Sequence, residues 1–84
     1  MLTSGKIDMT ETHDWPQRAS RYLKAELKRQ GVTYEDLSAK LNSAGFKETK
    51  ASVANKISRG AFTAAFFLAS LKVIGASIIR IDDV

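Results

Sequence analysis

The chain has 84 residues and carries 13 Lys and Arg against 9 Asp and Glu, a formal net charge of +4. That length makes one small domain, which buries only about 60% of the surface its unfolded chain exposes, and the absence of cysteine excludes a disulfide framework and a thiolate zinc site. No apolar run approaches the ~20 residues of a membrane span, and His13 has no ligand partner at metal-binding spacing, so no membrane, metal or cofactor is expected and a cytoplasmic protein is the default.

Residues 1 to 14 are polar and acidic, lack apolar periodicity and read as a disordered tail, leaving 15 to 84 as the domain. Asp14-Trp15-Pro16-Gln17 reads as a helix start, with Asp14 accepting early N–H groups, Gln17 reaching back and Pro16 in the first turn. A first helix follows from about Trp15 to Gln30. Ala19, Tyr22, Leu23 and Leu27 form its apolar stripe, and Arg18, Arg21, Lys24 and Lys28 share another face. Gly31 ends it. Thr33 then caps a second helix with Asp36 at N3, Val32 is placed to staple onto Leu37, and Tyr34, Leu37, Leu41 and Ala44 form the buried stripe up to Gly45.

Lys47 to Gly60 holds a third, short helix that Thr49 can cap and Gly60 can end. Val53 and Ile57 make a narrow apolar stripe, while Ser52, Asn55, Lys56 and Arg59 recur at i, i+3, i+4, i+7 on the other side. That outward stripe reads as free of carboxylates, with small residues Ala51, Ser52 and Ser58 beside it. It suits a helix in a DNA groove, although a solvated helix face would show the same pattern. Thr63 caps a fourth helix that ends at Gly75, with Phe62 stapling onto Phe67. Ala64, Phe67, Leu68, Leu71 and Ile74 make one face of it, and Phe66 and Val73 point nearly opposite, so this helix must be covered on two sides. Ser77 to Asp82 is β-branched and reads better as a strand than as a helix. The buried core is predicted to be Leu23, Leu27, Leu37, Leu41, Val53, Ile57, Phe67, Leu71 and Ile74.

Charge is unevenly placed along these elements. Residues 1 to 14 hold one basic group against three carboxylates, whereas residues 15 to 60 hold ten against four. An excess gathered in the middle points to a polyanionic partner.

Leu23-Lys24-Ala25-Glu26-Leu27-Lys28 before Gly31, then Val32 to Leu41, Ser52 to Gly60 and Leu68 to Gly75 together resemble a Cro/repressor-type, lambda-repressor-like helix-turn-helix domain. More narrowly, Asn55-Lys56-Ile57-Ser58-Arg59-Gly60 followed by Phe62 and an aromatic fourth helix resembles a bacterial family of domains of unknown function within that superfamily. The resemblance implies an all-α, compact domain of four to five helices, here with a possible short C-terminal strand. It also implies double-stranded DNA binding, with the second helix against the backbone and the third in the major groove. Asn42 to Ser52 is longer than the tight turn of typical members, and Ser58 and Arg59 stand where an acidic residue is usual.

The leading expectation is a small DNA-binding transcriptional regulator. Ser52, Asn55, Lys56 and Arg59 would read base edges, with Asn55 suited to adenine and Arg59 to guanine. Lys47, Lys50, Arg21, Lys24 and Lys28 would hold phosphates, and the N–H groups near Thr33 and Tyr34 would add backbone contacts. The alternative is a protein-interaction module on the same scaffold that does not bind DNA. Catalysis is not expected, because no nucleophile–base pair or metal cluster is present in the sequence. A homodimer is expected, held by residues 77–82 as paired strands and by Phe66 and Val73 of the fourth helix. The competing possibility is that Ile78, Ile79 and Ile81 fold back as a fifth helix onto their own core, leaving a monomer.

Overall fold

The computed structural model describes residues 14–84, and the tail expected before Asp14, with His13, lies outside them. The fold is all-α: α1 (Trp15–Gln30), α2 (Tyr34–Ser43), α3 (Lys50–Arg59), α4 (Ala64–Val73) and a closing 3-10 turn (Ile81–Asp83). None of these helices is long and apolar enough to cross a membrane.

Local chemistry sets the helix ends. Thr33 and Asp36 form a capping box on α2, and Thr49 and Ser52 form another on α3. The Thr63 hydroxyl accepts the N–H of Phe66 at 3.0 Å to start α4, and Phe62, just before it, stacks on Phe67 with centroids 5.8 Å apart. Asp14 stands at the N-cap of α1 but makes no side-chain cap bond. Its carboxylate instead lies 3.7 Å from Arg21.

Leu23 and Leu27 of α1, Leu37 and Leu41 of α2, Val53 and Ile57 of α3, and Phe66, Leu71 and Ile74, from α4 and its C-cap, form one buried cluster with Tyr22. Ser20, also without exposed surface, donates its hydroxyl to the Ile57 carbonyl, which ties α1 to α3. The phase of α4 departs from expectation. Phe66, left out of the predicted core, is 2% exposed and Phe67, placed in it, is only partly buried, while Leu68, assigned to the same face as Phe67, is 54% exposed. A helix apolar all round carries no internal signal of which side faces in. Both rings find aromatic neighbours: Phe66 packs on Phe62, with ring centroids 5.6 Å apart, and Phe67 lies against Phe62 and, at 6.3 Å, Tyr22.

The strand expected over 77–82 does not form, and no strand occurs among the described residues. The segment lies back on its own domain. Ile79 and Val84 pack against the core, the Arg80 N–H donates to the Tyr22 hydroxyl at 3.4 Å, and the Arg18 guanidinium donates to the Val84 carbonyl at 2.8 and 3.2 Å. Burying Ile79 and Val84 locally gives these two residues a partner without a sheet, but Ile78 and Ile81 stay 73% and 68% exposed, so only Ile79 of the three isoleucines folds onto the core, and a 3-10 turn stands where a fifth helix was the alternative. Phe66 is buried in its own core, and Val73 packs partly against it.

Candidate functional site

Thr49 and Gly60 bound α3 so that Val53 and Ile57 face the core. The opposite side carries Ala51, Asn55, Ser58 and Arg59, all exposed. Arg59 and Asn55 stand one turn apart, and neither has a side-chain hydrogen bond or ion pair among the described residues. The small side chains of Ala51 and Ser58 leave the backbone near the surface there.

Ser52 and Lys56 are placed differently from the expected stripe. Both turn toward Glu48, which is 8% exposed. The Lys56 ammonium lies 2.5 Å from the Glu48 carboxylate, Ser52 donates to it at 2.6 Å, and the Lys56 ammonium also sits 5.1 Å from the centre of the Phe66 ring. The Glu48 backbone is clamped from both sides by Asn42, whose amide nitrogen donates to the Glu48 carbonyl at 2.9 Å and whose amide oxygen accepts the Glu48 N–H at 2.7 Å. Burial disfavours the Glu48 charge, but hydrogen bonds from Lys56 and Ser52 and the positive charge on Lys56 outweigh it, so the carboxyl titrates below its ordinary value of 4.5. A carboxylate thus neutralises one of the two cations that the sequence assigns to the reading stripe. Glu48 escaped the periodicity argument because it precedes the helix, and only the Asn42 clamp turns it back along α3.

The remaining candidates divide into cations that are free to act and groups already engaged. Lys47, Lys50, Lys24 and Lys28 are exposed and unpaired with any carboxylate among the described residues. Contacts of Ser20 with Ile57 and of Pro16 with Gly60 run α1 and α3 past each other in opposite senses. Lys24 and Lys28, one and two turns on from Ser20, therefore lie along the flank of α1 toward the N-terminal half of α3. Arg21 is partnered by Asp14. The Thr33 hydroxyl is used in the capping box, and Tyr34 packs partly against the core. With Glu35 and Asp36 in the first turn of α2, that helix end already holds negative charge.

No curated protein and no solved structure matches the chain. Residues 15–79, from the first residue of α1 to the segment that folds back on it, match one family, and the chain belongs to it: the domain of unknown function DUF6471.

Proposed function

We propose that the protein binds double-stranded DNA as a helix-turn-helix module of the Cro/repressor type, with α3 in the major groove. The observation that carries this reading is the pairing of Asn55 and Arg59 on an otherwise small-residue face. Both keep their full hydrogen-bonding capacity, and the geometry suits bidentate contact with adenine and guanine edges. Unpaired Lys24, Lys28, Lys47 and Lys50 supply the phosphate contacts. Ser52 and Lys56 move from base reading to holding the helix. Such a module acts as a small transcriptional regulator, and one short helix reads few bases, so two copies on half-sites about 34 Å apart would give useful specificity. With no terminal strand to pair, the two-fold contact falls on the outer face of α4, where Ala64, Ala65 and Leu68 are exposed.

Titration of duplex DNA at low salt tests this. Amide shifts are expected on Ala51 to Arg59, and Arg59→Ala is expected to lose roughly 1–3 kcal/mol against a preferred site. Lys28→Ala should weaken all sequences alike and reduce the salt slope by about one. Unmoved α3 amides would sink the reading in favour of a protein-interaction module, for which exposed Leu68 is the anchor.

A further inference from the structure

A cleft of about 660 Å³ opens between α1 and the segment that folds back on it, and four arginines line it: Arg18, Arg21 and Arg29 from α1, and Arg80 from the returning segment. Its volume lies within the roughly 300–1,000 Å³ of small-molecule sites. Tyr22 and Ile78 also line it, and Ile78 is left 73% exposed there. Tyr22 touches Phe67, whereas Ser20 touches Ile57, so the cleft flanks α1 on the side away from α3.

We propose that this cleft binds a phosphorylated small molecule, with the phosphate held by the guanidinium groups and an apolar portion lying over exposed Ile78. Positive charge gathers there: among the described residues four guanidinium groups line the cleft with the carboxylates of Glu26 and Asp83, while Asp14 lies beside Arg21 and the Val84 oxygen accepts from Arg18. Guanidinium groups match phosphate and carboxylate oxygens in bidentate geometry. The choice of phosphate follows from the partners already present. Arg21 approaches Asp14 at 3.7 Å, Arg29 holds Glu26 at 3.0 Å and Arg80 holds Asp83 at 3.3 Å. The Arg21–Asp14 and Arg80–Asp83 pairs are exposed on both sides, and such pairs are weak and salt-sensitive. A ligand must offer more charge than a single carboxylate to draw these arginines over, and a phosphate group near neutrality carries about −1.5 to −2. Because Arg80 and Arg18 are both tied to the returning segment, occupation of the cleft would fasten that segment to α1. Duplex binding by α3 neither requires nor excludes such a ligand.

Inorganic pyrophosphate, with sodium acetate at matched ionic strength as the comparison, tests the proposal on the full chain. Trp15 is the chain's single tryptophan, and its ring lies 4.0 Å from the Arg18 guanidinium, so its emission reports on Arg18. Millimolar pyrophosphate is expected to change that emission and to shift the amides of Tyr22, Ala25, Arg29 and Ile78, while acetate does neither. The double substitution Arg29→Gln with Arg80→Gln should weaken binding by about tenfold or more, as loss of charged hydrogen bonds implies, and Lys28→Gln should leave it unchanged. The proposal is overturned by an equal response to acetate, by a pyrophosphate response that survives the double substitution, or by no response at all. Shifts confined to Lys24, Lys28 and α3 would also overturn it, assigning the phosphate contacts to a duplex backbone instead.

Discussion

Glu48 decides what its neighbours can do. Its carboxylate is nearly without solvent contact, and it holds half-buried Lys56 and Ser52 against the flank of α3. Glu48→Gln removes a charged acceptor for both, at a cost of about 1.5–3 kcal/mol at neutral pH for hydrogen bonds of this kind. Because folding lowers the pKa of this carboxyl, its contribution is fully present above the ordinary value of 4.5 and is lost as pH falls through the lower folded-state value. Urea unfolding of parent and variant should therefore differ most at pH 7 and converge only as pH falls through the lowered folded-state value. A gap that stays constant down to acid pH would mean that Glu48 acts through packing rather than charge. Lys56→Ala should likewise lower stability more than it lowers DNA affinity, the reverse of Arg59→Ala.

Helix boundaries were legible in the sequence because they depend on groups within four residues of each other. Thr33 with Asp36, Thr49 ahead of α3 and Gly60 behind it act locally, and each lies where the cap chemistry requires. The direction a helix faces is local only when its pattern is one-sided, as in α3, whose Val53 and Ile57 stripe left no choice. In α4 the pattern was two-sided, so nothing within the helix marked that Phe66 would be buried and Phe67 only partly so. Ser52 and Lys56 were misread because the carboxylate that claims them comes from outside the helix. The junction between α1 and α3 was invisible for a similar reason. Gly60 ends α3 at φ 63°, and a Cβ there would lie 2.7 Å from the Pro16 carbonyl oxygen, whereas one at Gly31, also at positive φ, would meet nothing. Gly31→Ala should cost about 1–2 kcal/mol, the left-handed strain alone. Gly60→Ala should cost clearly more, since backbone must also move. Equal melting temperatures for the two variants would show that α1 does not press on the end of α3.

At the scale of the whole molecule, a small core leaves little reserve. Phe66→Ala should remove about 3–5 kcal/mol, much of the 5–15 kcal/mol that separates folded from unfolded chains, and Phe67→Ala, at a partly buried position, should remove less. The residues after α4 belong to that core, since Ile79 and Val84 pack on it and Arg18 and Tyr22 bond to the returning backbone. Deleting residues 77–84 would therefore uncover apolar surface and favour association for reasons unrelated to function, so truncation cannot separate a dimer from a monomer. A change on the outer face of α4 can. Leu68 points away from the core, and Leu68→Glu places a charge where the proposed two-fold contact lies. The variant should fold with a melting temperature within a few degrees of the parent, because an exposed substitution typically changes stability by about 0.5 kcal/mol or less. Light scattering at micromolar concentration should then report twice the 9.2 kDa chain mass for the parent and the single mass for the variant. A parent that scatters as a single 9.2 kDa chain when free, and adds only one chain mass to a duplex carrying both half-sites, would place the full specificity on one α3 and remove the two-fold arrangement.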